Sequence, residues 1–298
     1  MSSIARDPDG TDRVPVGPGM SMFDPMFIGV DEFGEHVTLD VVYKNLLVGG
    51  LPGGGKSGLL NTITATAALC DNTRLVLFDA KWVELGPYAD IADEFIGDNI
   101  DKGIRVLRRL LIVAHNRYQW LLANRRRKFT RDDGLSVILT VLDELAMFTR
   151  ILGTKEQREE FETLLMGLVA LGRACAMPVV SASQRTSAKV IDPNLRDLFG
   201  YRCAFRCTTP GSSEVILGQG WAELGYNAMD INPDNPGEAL LLAENGVPRR
   251  IKAAWLTDDD IYSIADYVGW LRKPATSDTE TLNIENPPGN RIEWEMAA

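Results

Sequence analysis

The chain contains no apolar run approaching the ~18 residues of a membrane span, and its polar N-terminus lacks the apolar core of a signal peptide. That predicts a cytoplasmic protein, unless a partner carries it to a membrane. Cysteine is scarce. Cys70, Cys175, Cys203 and Cys207 form no paired metal-ligand pattern, and no second Cys or His pair joins the close pair Cys203 and Cys207 to complete a zinc site. They read as small buried apolar side chains. Basic charge is in deficit, with 31 Lys and Arg against 41 Asp and Glu, a net charge of −10. This excludes a protein coated in basic residues and, taken alone, argues against nucleic acid, although distribution matters more than the sum. Acidic residues crowd 90–94, 156–162 and 258–260. Basic ones gather at Arg105, Arg108 and Arg109, and again at Arg125, Arg126, Arg127, Lys128 and Arg131.

With 298 residues, 45% hydrophobic and 24% charged, the chain can bury a substantial core as one large α/β domain or two small ones. Its organising stretch is Gly50-Leu51-Pro52-Gly53-Gly54-Gly55-Lys56-Ser57, followed by Gly58. The stretch fits G-x-x-x-x-G-K-[ST]. The apolar strand end Leu46-Leu47-Val48 precedes it and a helix-forming run over 59–68 follows, which is the context a P-loop requires. Glycines let the backbone curl so that successive N–H groups face a phosphate chain, and the helix N-terminus adds its partial positive charge. Lys56 is then the residue that reaches the β- and γ-phosphates, and the Ser57 hydroxyl the one that ligates Mg²⁺. Downstream, Val137-Ile138-Leu139-Thr140-Val141-Leu142 ends in Asp143-Glu144, the second half of a P-loop ATPase. Asp143 would hold Mg²⁺ or its water, while Glu144 would orient and deprotonate the attacking water.

Around these motifs, residues 27–30 and 36–39 flank Asp31-Glu32-Phe33-Gly34 as a short hairpin before the P-loop strand. Arg74-Leu75-Val76-Leu77-Phe78 reads as a strand ending in Asp79-Ala80-Lys81, where Asp79 and Lys81 are either near-site residues or an ordinary strand-end turn. Asp101 is expected to cap a long helix running to about Lys128, with Ile104, Leu107, Leu111, Tyr118, Leu121 and Leu122 on its apolar side. Its basic end suits either the helix dipole or nucleic-acid contact. Residues 156–172 read as a helix and 178–183 as a strand ending in Gln184-Arg185, where an amide beside the P-loop strand can sense a γ-phosphate or position water. A short turn or helix over 194–198, strands over 201–207 and 237–242, and an edge strand within 247–256 follow. The final helix, 258–270, is expected to be capped by Thr257. Residues 1–20 and 274–298 read as disordered tails, leaving 21–273 as the folded domain.

Taken in order, the P-loop, Asp79-Ala80-Lys81, Asp143-Glu144 and Ser183-Gln184-Arg185 resemble the FtsK/SpoIIIE family of DNA-translocating ATPases. Ile28-Gly29-Val30-Asp31-Glu32-Phe33-Gly34 looks like that family's lead-in, and Asn116-Arg117-Tyr118 like the Arg-Tyr of its long helix. Leu171-Gly172-Arg173-Ala174 and Tyr201-Arg202-Cys203-Ala204-Phe205-Arg206 match its later segments. The stretch from Val215 to Ala222, with Pro236-Gly237-Glu238-Ala239, looks most like short members encoded on actinobacterial plasmids and integrative elements, which are implicated in DNA transfer.

The resemblance covers about residues 27–270 and implies a RecA-like P-loop NTPase, a mainly parallel α/β sheet flanked by helices with an N-terminal hairpin lead-in. It implies a homohexameric ring that hydrolyses ATP with Mg²⁺ and moves double-stranded DNA in conjugation or segregation, with a membrane-anchored transfer protein as a compatible partner. A ring reconciles an acidic exterior with a narrow basic channel. The expected catalytic set is Glu144 and Gln184 with an arginine finger. Where chromosomal members carry Arg before the Ile-Leu run, this chain has Ser213-Glu214, which leaves the finger to Arg117 or Arg173, each also readable as a surface salt bridge. The pattern further departs from the family in showing no winged-helix domain after the motor and no membrane segment before it. Two other readings stand beside it: an ATPase of a protein-secretion machine, and a nucleotide-gated DNA-binding or partition adaptor.

Overall fold

Short apolar runs alternate with helical periodicities along the sequence, and the computed structural model, which describes residues 4–6, 12–15, 20–70, 72–187, 190–244 and 246–272, gathers most of them into one sheet. In chain order the elements begin with β1 (Ile4–Arg6), β2 (Asp12–Pro15), β3 (Met26–Asp31), β4 (His36–Leu39), β5 (Leu46–Gly49) and α1 (Lys56–Leu69). They continue with β6 (Thr73–Phe78), β7 (Glu94–Ile96), α2 (Ile100–Ala123), β8 (Val137–Leu142), α3 (Lys155–Gly172) and β9 (Val179–Ser183). The remainder are α4 (Pro193–Asp197), β10 (Tyr201–Phe205), α5 (Pro210–Leu217), β11 (Glu238–Ala243), β12 (Arg249–Ala253) and α6 (Asp258–Arg272). The ten-stranded sheet runs β4-β3-β12-β11-β10-β5-β9-β8-β6-β7. From β10 to β7 every pairing is parallel, and β11, β12, β3 and β4 join antiparallel.

Burial follows that division. β5, β8 and β9 are buried at every residue, the pattern of parallel strands covered on both faces, whereas β4 alternates exposed and buried. Helices α2 and α3 pack together, as do α1 and α6. Phe78 of β6 meets Phe148 and Phe161 edge-on at 5.4 and 5.8 Å, tying α3 to the sheet. The four cysteines are buried thiols, as read from the sequence.

Several local expectations are corrected. The N-terminal stretch read as wholly disordered contains the antiparallel pair β1 and β2, and the sequence between them includes Asp7-Pro8-Asp9-Gly10, a turn-forming composition. Asn99, not Asp101, caps α2: its side chain accepts the Lys102 N–H at 2.9 Å, while Asp101 accepts from Gln157. The helix stops at Ala123. Arg125 turns into the left-handed region at φ 55° and the Arg126 N–H returns to the Leu121 carbonyl at 2.8 Å, a helix-ending device that the basic composition concealed. Leu122, assigned to the apolar side, is exposed. β12 is not an edge strand, because β3 returns to pair with it across most of the chain length. Thr257 does cap α6, exchanging hydrogen bonds with Asp260 in a capping box. The expected tail at 274–298 lies outside the described residues.

Arg117, an arginine-finger candidate, has a structural role instead. Its guanidinium is 5% exposed and donates to the carbonyls of Cys175 (2.7 Å), Ala176 (3.3 Å) and Ser136 (2.8 Å), with its face toward Phe129. Burial lowers its pKa to about 10, so it stays charged at neutral pH while tying α2 to the chain entering β8 and β9. Those carbonyls sit at the amino ends of the strands, whereas the P-loop leaves the carboxyl end of β5, so Arg117 stands at the opposite edge of the sheet from its own P-loop. Arg117→Ala leaves three buried carbonyls without a donor, and denaturant unfolding is expected to show a loss of about 3 kcal/mol or more. A residue acting only as a finger would leave that stability unmoved.

Candidate active site

The P-loop is shaped by close approach. Gly50 has φ 143°, and a Cβ there would lie 2.8 Å from Phe205 Cβ; at Gly55, with φ 114°, a Cβ would lie 2.6 Å from Gly237 Cα. Neighbouring chain ends hold the loop by its backbone: Leu51 N–H donates to the Arg206 carbonyl and Gly237 N–H to the Gly54 carbonyl, both at 2.8 Å. Gly55 then opens α1 with no side chain capping it, which leaves first-turn N–H groups to meet an anion.

Lys56 is 6% exposed, and its ammonium donates to the loop's own Leu51 carbonyl at 2.7 Å. Burial lowers its pKa, and the nearby Glu144 and Asp143 carboxylates oppose that shift. The two carboxylates follow β8, one strand removed from β5 in the sheet, with β9 between them. Glu144 is fully engaged. Its Oε1 accepts the Ser183 hydroxyl at 2.7 Å and the Ala146 N–H at 3.1 Å, while Oε2 accepts the Gln184 N–H at 2.8 Å. The proposed base is thereby held against the end of β9.

Asp143 is the opposite case. It is 5% exposed, its Oδ2 has no hydrogen-bond partner among the described residues, and burial, then Asp79 and Glu84, raise its pKa to about 7. A buried, unpartnered acidic oxygen beside two further carboxylates is a poor resting place for negative charge and a good one for a cation. Together with the Ser57 hydroxyl it fits Mg²⁺, which takes few protein ligands when phosphate oxygens complete its shell. Among the described residues no cluster of three or more His, Cys, Asp and Glu forms a self-sufficient metal site.

Lys56, Ser57 and Gln184 line a cavity of about 570 Å³, with Glu84, Gly237, Lys252 and Trp255 completing its wall. Asp79 combines its two readings: its carboxylate accepts the Lys81 and Leu85 N–H groups at 3.0 and 2.9 Å, forming the turn, and its charge acts on Asp143. Arg173 takes the salt-bridge alternative within its own chain, forking onto Glu244 at 2.8 Å and donating to the Tyr43 carbonyl at 3.1 Å. Ser213 and Glu214 accept the N–H groups of Ala228 and Gly220. Sequence reasoning assigned no role to Ser183, Gly237 or Trp255. Ser183 was the most accessible, since it ends the strand beside Gln184; the other two enter through β11 and β12, whose pairing no local pattern announces.

The raised pKa of Asp143 fixes a sign. Between about pH 4 and pH 7 the unfolded chain releases this proton while the folded chain retains it, so stability falls as pH rises. In magnesium-free buffer, Asp143→Asn is expected to raise the melting temperature at pH 8 and leave it nearly unchanged at pH 4. Parallel pH profiles for the two proteins would overturn the assignment.

Residues 15–226 match the FtsK/SpoIIIE family. Curated relatives come from diverse bacteria, with no lean toward actinobacterial plasmid or integrative-element proteins. The DNA translocase FtsK of Borreliella burgdorferi, for example, is 27% identical over 277 residues, covering 86% of this chain and 33% of the relative. The chain thus spans about a third of the length of the curated relatives it matches. Its structure is similar to that of the pCW3 conjugation coupling protein TcpA, with a TM-score of 0.72 and 22% identity over 83% of this chain and 70% of the other. It is also similar to the cytoplasmic domain of the Thermomonospora curvata type VII secretion ATPase EccC, with a TM-score of 0.63 and 20% identity over 85% and 32% of the two chains. These likenesses establish the RecA-like P-loop NTPase fold. Among the described residues no helix is long and apolar enough to cross a membrane. The matched span holds the phosphate loop, the Asp143-Glu144 pair and the Gln184 strand end on one edge of the sheet, and the chain belongs to the FtsK/SpoIIIE family.

Proposed function

We propose that this chain is an ATP-driven motor that moves double-stranded DNA as a homohexameric ring, acting in plasmid or mobile-element transfer or segregation. The observation that carries the reading is the convergence of Lys56, Asp143, Glu144 and Gln184 where β5, β8 and β9 end. When bound, Mg-ATP supplies the phosphoanhydride to be cleaved and the cation that offsets its charge. Lys56, which donates to the Leu51 carbonyl, would turn to hold phosphate oxygens, and Ser57 and Asp143 would hold the metal. Glu144 orients the attacking water and accepts its proton once free of Ser183. The Gln184 side chain stands at the same cavity wall, where it can report the presence of the terminal phosphate.

The DNA cargo is supported by the family match and by relatives named DNA translocases. Likeness to a secretion ATPase favours a second reading, in which the same motor pushes polypeptide, because the fold does not distinguish the two cargoes. ATPase rates measured with linear duplex DNA, single-stranded DNA and no nucleic acid separate them. Strong stimulation by duplex is expected, and normal hydrolysis indifferent to all DNA would overturn the translocase reading. Lys56→Ala is expected to abolish nucleotide binding or turnover, and Glu144→Gln to bind ATP yet hydrolyse it at least about a hundredfold more slowly. Near wild-type turnover in Glu144→Gln would remove it as the base.

Arg125, Arg126 and Arg127 are exposed beyond the end of α2, with Arg126 within 3.4 Å of Asp133. If this loop touches the phosphate backbone, replacing all three with Ala is expected to reduce the salt dependence of duplex binding by about one logarithmic unit of slope per lost contact. An unchanged slope would return the cluster to a solvated helix end.

A further inference from the structure

We propose that the indole of Trp255 is the platform on which the base of the bound nucleotide stacks. The proposal rests on the nucleotide reading of the P-loop and extends it to the other end of the ligand. Trp255 follows β12 and is 70% exposed, so the faces of its large aromatic ring are open to a ligand. It is not isolated on the surface. It lines the same cavity as Pro52, Lys56, Ser57 and Gly58, so the phosphate cradle and the exposed ring are two parts of one space.

The position of the ring is built in. A Cβ at residue 58 would lie 3.0 Å from Trp255 Cε3 and 3.4 Å from Cζ3, so the six-membered ring rests against the backbone of the first turn of α1. Glycine at 58 leaves room for it there. The loop carrying the ring is held independently, since the Ala254 N–H donates to the Ile28 carbonyl at 2.8 Å. A nucleoside triphosphate has an anionic end and a flat aromatic end. Lys56 and the loop amides meet the first, and within the lining of the cavity the aromatic surface offered to the second is Trp255. Lys252, in the same cavity wall, is already committed to Asn235 and the Pro236 carbonyl, so its ammonium does not compete for the base edge. Stacking by a π-face alone tolerates different bases, because each presents a similar flat surface.

Calorimetric titration with Mg-ATP and with magnesium tripolyphosphate, which has the phosphates and no base, tests the assignment on the full chain. Trp255→Ala is expected to weaken ATP about tenfold and leave tripolyphosphate unchanged, while Trp255→Phe retains most of the ATP affinity. ATP, but not tripolyphosphate, is expected to quench tryptophan fluorescence, and Trp255→Phe to remove that quench. Unaltered ATP affinity in Trp255→Ala would overturn the proposal. So would equal weakening of both ligands, which would mean that the substitution had distorted the phosphate loop. A wild-type protein that bound neither ligand would overturn the P-loop reading itself, whereas the first two failures leave that reading intact.

Discussion

The P-loop keeps its curve because two other chain segments lie directly against it. The amide of Leu51 and the carbonyl of Gly54 are each taken by backbone from the end of β10 or the start of β11, at distances that leave no room for side chains at Gly50 or Gly55. The glycines thus serve two requirements at once: they accept positive φ, and they let foreign backbone reach the loop. The cradle is consequently a property of the assembled sheet, in which β5 lies between β10 and β9, and only then of the eight-residue motif. Removing either flanking segment would leave the same sequence without its walls.

Charge is arranged with equal dependence on the sheet. Lys56, Asp79, Asp143 and Glu144 are all buried near one another, and three of the four are acidic. Asp79 is relieved by two backbone amides and Glu144 by two amides and a hydroxyl. Of the three carboxylates, only Asp143 has an oxygen with no partner among the described residues, and burial raises its pKa to about 7. The same oxygen destabilises the folded chain as pH rises and, in the proposed function, would be relieved by a divalent cation.

Motifs with a fixed backbone context were legible in the sequence. Gly50 to Ser57, Asp143-Glu144 and Gln184 each follow an apolar strand run, and parallel sheets gather such strand ends on one edge. What the sequence concealed was decided by long-range contact. Arg117 reads like a functional arginine because nothing local reveals that Ser136, Cys175 and Ala176 will offer it carbonyls. The end of α2 was misplaced because Arg125 to Lys128 are good helix residues, and the left-handed turn at Arg125 overrides that preference. β12 was assigned to an edge because its partner, β3, lies near the other end of the chain. Ser183 lacked a role because its partner, Glu144, is 39 residues away in sequence.

The pairing of β3 with β12 also sets the order of events during synthesis. Gly29 aligns with Ala253, so one side of the N-terminal hairpin has no partner until nearly all of the described chain has left the ribosome. At about 5–20 residues per second, that delay lasts on the order of ten seconds or more. Through it, the hairpin presents an open strand edge of the sort that pairs with other chains. Contacts this distant in sequence also make for slow folding once the chain is complete. Until β12 is made, β3 therefore keeps an open edge through which a crowded cell can divert the protein into aggregates.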